Sequence, residues 1–363
     1  MTTGNNSTVA QTGLDVAIRN VRVASLVIYC VIFMVGTLGN GLVIYVTGFR
    51  MKRTVNSVWF LNLALADFLF TAFLIFSIIS LSQHHQWHFG SIMCKLNSLV
   101  NVVNMFASIF LLTAISLDRC LSIWVVVWAQ NKRTVRKTQL TCAVIWVTAV
   151  VCSIPYITFR NLKQKNGKTY CGYDQATHTR NLSLAIFRFV MGFLIPFLVI
   201  FVCYVAIGVR AGRLQRTKKR RPRRIIFSVV LAFFICWLPF HVVQFIDLIS
   251  AGSPNLKNTV RIGGTLTVCL AFTNSCLNPI LYVFMCDEFQ KKLKQSICFV
   301  LESALAEDHL SFMSSRSLSS HFSRVSRKSD STAPLERKDT SSSLTFTESK
   351  VVISEERETL SAD

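Results

Sequence analysis

Apolar residues run along this chain in blocks too long and too uniform for helices that show water one polar face per turn. Such runs, free of charge clusters, cover 24–48, 56–81, 94–123, 138–158, 182–208, 225–250 and 259–285. Each is close to the ~20 residues that carry a helix across a hydrocarbon core of roughly 30 Å. The pattern predicts an all-α membrane protein: a seven-helix bundle over 24–285, preceded by an N-terminal segment, 1–23. After the last run, Phe289, Leu293, Ile297 and Phe299 alternate with lysines at helical spacing. That spacing predicts a short amphipathic helix over 286–300 lying on the membrane surface. Residues 301–363 turn to Ser, Thr, Arg, Lys and Glu with few aromatics. A segment of that composition cannot bury enough apolar surface to fold, so a disordered tail is expected.

Composition agrees with a bilayer. The 363 residues are 52% hydrophobic and 16% charged, with a mean hydropathy of +0.45. A net charge of +21 in a soluble protein would suggest nucleic acid, but its placement excludes that reading here. Lys and Arg gather in alternate connections: Arg50, Lys52 and Arg53; Lys132, Arg133, Arg136 and Lys137; the run from Arg210 to Arg224; and Lys291, Lys292 and Lys294. The positive-inside rule makes those segments cytoplasmic and the N-terminus extracellular. The connection at 82–93 has neither Lys nor Arg, whereas that at 159–181 carries Arg160, Lys163, Lys165, Lys168 and Arg180, an exception that hints at the ligand. No charged-then-apolar leader precedes the first span, which is expected to act as an uncleaved signal anchor. Sequons at Asn5, Asn6 and Asn181 fall on the extracellular side. Of twelve cysteines, most lie inside spans or at the cytoplasmic face; Cys94 and Cys171 are extracellular, and one bridge between them is expected. Cys298 is either a palmitoylation site or a plain thiol near the membrane. Ser314, Ser315, Ser317, Ser319, Ser320 and Ser341 to Ser343 are candidate phosphosites on a tail that is otherwise merely solvated.

Polar groups inside lipid are costly and mark function by default. Asn40, Asp67, Asn104, Ser108, Asn274, Ser275 and Asn278 fall at comparable depths if the spans alternate direction. A carboxylate among neutral oxygens suits a hard monovalent cation such as sodium. A water-bridged network that ties helices together is the alternative. At the cytoplasmic end of the third span stand Asp118 and Arg119, which can neutralise each other at rest and leave the Arg free to pair elsewhere when the bundle rearranges. Pro196, Pro239 and Pro279 interrupt backbone hydrogen bonding inside the fifth, sixth and seventh spans and are candidate pivots. No nucleophile–base set or metal cluster is visible, so an enzyme is not expected. Nor is there an internal repeat with broken helices, as a transporter would show.

In this order, Asn40, Asp67, Asp118-Arg119-Cys120, Trp146, Pro196 with Tyr204, Cys236-Trp237-Leu238-Pro239 and Asn278-Pro279-Ile280-Leu281-Tyr282 resemble the class A, rhodopsin-like G-protein-coupled receptors over residues 24–300. The resemblance implies a bundle at the plasma membrane whose sixth helix swings outward on activation. Arg119, Tyr204 and Tyr282 would rearrange to admit a G protein, Trp237 would relay ligand contact, and Asp67 would anchor a regulatory sodium ion. Longer strings, MKRTVNSVWFLNLALAD from Met51, NMFASIFLLTAISLDRCL from Asn104, VWAQNKRTV from Val127 and NSCLNPILYVFM from Asn274, resemble leukocyte chemoattractant receptors. The first is most similar to chemerin receptors. The second, with Arg-Arg-Pro at 220–222 and VLES at 300–303, is more similar to the chemoattractant prostaglandin D receptor.

Arg188 lies eight residues before Pro196 in an apolar stretch, so its charge should face a pocket rather than lipid. A buried cation wants an anion, and with Arg160, Tyr173 and Lys257 it suggests a site for a ligand carboxylate, from a lipid acid or a peptide C-terminus. The alternative is a structural pair with Asp247 or a snorkelling side chain. The resemblance to the prostaglandin D receptor implies the acid-holding role for Arg188, Arg160 and Tyr173, with Phe106, Trp237 and Phe240 as aromatic walls. Val102 and Leu184 stand where formyl peptide receptors carry an acid and a second Arg, which argues against formyl-Met recognition. Residues 1–23 hold only Asp15 as an acid, which argues against a large basic protein ligand. Ile75 and Val126 replace the usual Pro of relatives, the latter in the loop that contacts the G protein. The expectation is a receptor for an acidic lipid mediator or chemoattractant peptide, acting through inhibitory G proteins, receptor kinases and arrestin. A scavenging or arrestin-biased receptor is the alternative.

Overall fold

The computed structural model describes residues 3–165, 167–173, 178–213, 221–249 and 254–285, with 291 and 295; side chains at 3–12, 128, 211–213, 221–230, 254, 255, 257 (the Lys257 expected near the ligand) and 280–285 are not described. The surface helix expected at 286–300, Cys298 and the tail 301–363 therefore lie outside the description, apart from residues 291 and 295. The elements run α1 Thr3–Tyr45, α2 Val55–Ser82, α3 Gly90–Trp124, α4 Val126–Asn131 and α5 Val135–Thr158. They continue with β1 Arg160–Lys165, β2 Lys168–Tyr173, α6 His178–Phe189, α7 Ile195–Arg213, α8 Arg221–Ile249 and α9 Pro254–Met285. Seven stretches, with α6 and α7 counted as one, are long and apolar enough to cross a membrane. They match the seven expected spans, though α1 begins at Thr3, well before position 24, because nothing in 3–23 breaks the helix.

α2 and α5 start on short polar caps. Thr54 accepts from the Ser57 amide while Ser57 accepts from the Thr54 amide, and Thr134 accepts from the Lys137 amide. The fifth span is not one regular helix. Between α6 and α7, Val190–Leu194 form a π turn in which the Ile195 amide reaches back to the Val190 carbonyl. Pro196 follows at once; its ring and missing N–H favour this wider turn, which carries the chain past the gap in the ladder. A second π turn, Val46–Arg50, closes the cytoplasmic end of α1.

The core gathers inward-facing residues from most of the bundle, including Val43, Leu63, Phe106, Ile109, Leu111, Ala149, Ile200 and Phe233. Residues such as Val27, Leu38, Val144, Val147, Phe201 and Val202 point outward and stay exposed, as a lipid-facing surface requires. Close helix contact uses glycine at Gly36 of α1. A Cβ there would collide with Thr71 Cγ2 and come within 3.1 Å of Cys276 Sγ. The antiparallel β1–β2 hairpin pairs Arg160 with Tyr173 at its open end and Lys165 with Lys168 at its turn. A disulfide between Cys94 and Cys171 ties the hairpin to the start of α3.

Candidate functional site

At the extracellular end a cavity of about 640 Å³ opens between the helices, lined among others by His85, Asn97, Arg160, Arg188, Phe240 and Arg261. A second, of about 590 Å³, lies on the other side of Arg188 and is lined by Tyr156, Tyr173, Arg180 and Leu184. Asp247 borders both. Arg188, in the last turn of α6, projects between them. Its guanidinium lies 4.4 Å from the centre of the Tyr156 ring and 5.7 Å from that of Phe240. Its Nε is enclosed and finds no hydrogen-bond partner among the described residues. Tyr156 is itself fixed, because its hydroxyl donates to the Leu184 carbonyl at 2.8 Å. Arg160 lies 4.6 Å over the Tyr173 ring, so the hairpin presents the two together. Arg160 has its pKa lowered, first by burial, with Tyr173 opposing the shift.

Phe106 and Trp237, expected as walls, sit in the packing beneath the cavities. Phe106 is fully buried against Phe110, Tyr156 and Phe187. Trp237 packs on Phe233 and stands at 90° to Phe240. Phe240 lines the larger cavity.

Halfway down, Asp67 is fully buried and ringed by donors. Asn278 Nδ2 donates to Oδ2 at 2.6 Å and Ser108 Oγ donates to Oδ1 at 3.5 Å. With its amide nitrogen facing the carboxylate, Asn104 donates to Asp67 Oδ1 at 3.2 Å and accepts from Ser275 Oγ at 3.2 Å. Asn40 Nδ2 donates to the Ser275 carbonyl at 2.9 Å, joining α1 to the same network. Asn274 is buried beside Ser275 on α9. Helices α3 and α9 thus reach the Asp67 carboxylate of α2 directly, and α1 joins the network through Ser275.

At the cytoplasmic end, Asp118 is engaged by a residue assigned no part in the switch by the sequence. Arg133 Nε donates to both carboxylate oxygens at 2.9 and 3.1 Å, and Nη2 donates to Oδ2 and to Asn56 Oδ1, each at 2.8 Å. The partner the structure gives Asp118 is thus a clamp from the segment before α5. The cause is geometric: neighbours on a helix point about 100° apart, whereas Arg133 approaches the carboxylate end-on with a planar fork. Tyr204 lies near Arg119 and Ser116. Trp124 Nε1 donates to the Ala206 carbonyl at 3.1 Å, and Arg210 lies 5.4 Å from its ring centre. Pro279 is buried, whereas the side chain of Tyr282 is outside the description. Trp146 donates to Asn62 at 3.0 Å, which joins α5 to α2. Asn181 is exposed on α6; the side chains of Asn5 and Asn6 are not described.

The seven-helix bundle, the bridged hairpin and the buried carboxylate network define a membrane receptor. The profile of the 7 transmembrane receptor (rhodopsin family) matches residues 39–282, and the chain belongs to that family. Human chemerin-like receptor 1 is 40% identical over 308 residues, covering 80% of this chain and 82% of its own. The zebrafish C3a anaphylatoxin chemotactic receptor is 41% identical over 292 residues, 80% of each chain. Human N-formyl peptide receptor 3 is 40% identical over 299 residues, 78% of this chain and 85% of its own. The protein is a multi-pass, G-protein-coupled receptor of the chemoattractant group and not an enzyme.

Proposed function

We propose that this receptor binds a chemoattractant ligand bearing an acidic group, an acidic lipid mediator such as prostaglandin D or the C-terminus of a chemerin-like peptide. Arg188 carries the reading. It is a guanidinium held by aromatic rings between two cavities, with an enclosed Nε that has no hydrogen-bond partner among the described residues. A partly desolvated cation facing a void of that size is best satisfied by a carboxylate, and Arg reaches it with two parallel bonds. Arg160 and Tyr173 stand at the rim as further contacts, and Asp247 limits how much negative charge the site accepts. The network of Asp67, Asn104, Ser108, Asn274 and Asn278 holds an allosteric sodium ion. Release of Asp118 from Arg133, together with movement of Arg119, Tyr204, Pro279 and Tyr282, admits an inhibitory G protein. Receptor kinases and arrestin then act on the serine-rich tail. The test is inhibition of stimulated cyclic AMP in cells expressing the receptor, challenged with prostaglandin D, chemerin C-terminal peptides and formyl peptides. A response to one of the first two that is lost in Arg188→Ala is expected.

A scavenging or arrestin-biased receptor is favoured by one observation: Val126, 51% exposed at the start of α4, stands where relatives usually carry Pro. Arrestin recruitment with saturable binding and no change in cyclic AMP would establish it.

A further inference from the structure

The larger cavity has a second cationic end that the Arg188 reading does not use. Across from Arg188 and Arg160 it is lined by His85 and Arg261. A neighbouring cavity of about 220 Å³ shares Leu81, His85, Arg261 and Thr265 with it and adds Arg22 and His84. Three elements supply these groups: Arg22 comes from α1, His84 and His85 from the connection after α2, and Arg261 from α9. Arg22 Nη1 donates to His84 Nδ1, which accepts as an unprotonated ring nitrogen, so the guanidinium keeps its full charge there. No carboxylate lines the smaller cavity among the described residues. Among the described residues lining the larger cavity Asp247 is the one acid, and the hairpin contributes Arg160 and Tyr170.

The histidines are placed there by backbone, not by drift. His84 and His85 both have left-handed φ, 58° and 67°, which non-glycine residues rarely adopt. The connection is pinned by the His85 amide on the Ser80 carbonyl at 2.7 Å and the Trp87 amide on the Thr169 carbonyl at 2.8 Å. A conformation of that kind persists only where its surroundings hold it. Two guanidinium groups beside imidazole N–H donors, with no acid lining the smaller cavity among the described residues, form a place for an anion.

We infer that the receptor takes a ligand with two acidic groups, one held by Arg188 and Arg160 and the other by Arg261 and His85 across the same cavity, with Arg22 behind them in the adjoining smaller one. The inference rests on the Arg188 reading for its first end and stands on different residues for its second.

Full-length receptor in phosphatidylcholine nanodiscs would be titrated with α,ω-dicarboxylic acids of increasing chain length and with the matched fatty monocarboxylic acids. At one chain length the diacid should bind about tenfold more tightly than the monoacid, the gain from one further charge-assisted contact. Arg261→Gln and Arg22→Gln should each reduce that advantage, while Arg261→Lys should retain most of it and show that the fold survives. No diacid advantage in the wild type, or an advantage untouched by both glutamine variants, overturns the second end and leaves the first intact. Monoacid binding that ignores Arg188→Gln overturns the first end and, with it, the two-ended ligand.

Discussion

Removing Arg133 should destabilise the receptor measurably. The side chains of Arg133 and Asp118 are 20% and 9% exposed, and one guanidinium makes three contacts to the carboxylate and one to Asn56. In Arg133→Ala the carboxylate keeps its low-dielectric setting and loses its fork. Breaking a fully buried pair costs about 3–5 kcal/mol, and the partial exposure here lowers the expectation to about 2–3 kcal/mol. Arg133→Lys keeps the charge without the planar fork and should lose about half as much. The assay is thermal unfolding in nanodiscs, read by a thiol-reactive dye, since Cys142, Cys152, Cys203, Cys236, Cys269 and Cys276 are buried in the folded bundle. Asp118→Asn in the Arg133→Ala background should recover part of the loss, because no buried charge is then left unpaired. If Arg133→Ala unfolds at the wild-type temperature, or if the two changes add without coupling, the clamp is not a stabilising contact.

Three further outcomes follow from the packing and the charges. Gly36→Ala should cost about 1–3 kcal/mol by the same assay, because its methyl meets Thr71 and Cys276 where α1 crosses α2 and α9. Sodium chloride should raise the unfolding temperature above choline chloride at equal ionic strength, and Asp67→Asn should abolish the difference, since only a bound ion stabilises by mass action. The pKa of His85 is lowered, first by its partial enclosure and then by Arg22, Arg261 and His84, so the unliganded imidazole is largely neutral at pH 7.4. A bound anion acts in the opposite direction and draws a proton onto the ring. Diacid affinity should therefore rise as pH falls from 8 to 6, and His85→Gln should flatten the profile.

The seven spans were legible because bilayer thickness sets their length and every one must satisfy its own backbone. The buried polar set was legible for a related reason: Asn40, Asp67 and Asn278 are conspicuous in apolar runs, and the structure brings them to one carboxylate through Ser275, Ser108 and Asn104. Partnerships across helices were not. Nothing in periodicity links Asn62 to Trp146, Tyr156 to Leu184, or Arg133 to Asp118, because each pair is made by packing between segments far apart in sequence. The hairpin at 160–173 was also hidden. Its strands are polar, with no apolar alternation to announce them, and the order comes from pairing and from the bridge to α3. Nor does periodicity give the aromatic packing, in which Phe106 lies against Phe110, Tyr156 and Phe187, and Trp237 against Phe233 and Phe240.

The central claim, that an acid is anchored on Arg188, is tested most directly by binding of prostaglandin D and its methyl ester, and of a chemerin C-terminal peptide and its amide, to wild type and Arg188→Ala. For whichever ligand binds, the account predicts that capping the acid weakens wild-type binding at least about tenfold, the equivalent of one charge-assisted contact. It also predicts that capping has no further effect in Arg188→Ala. Equal affinity of free and capped ligand for the wild type would contradict it.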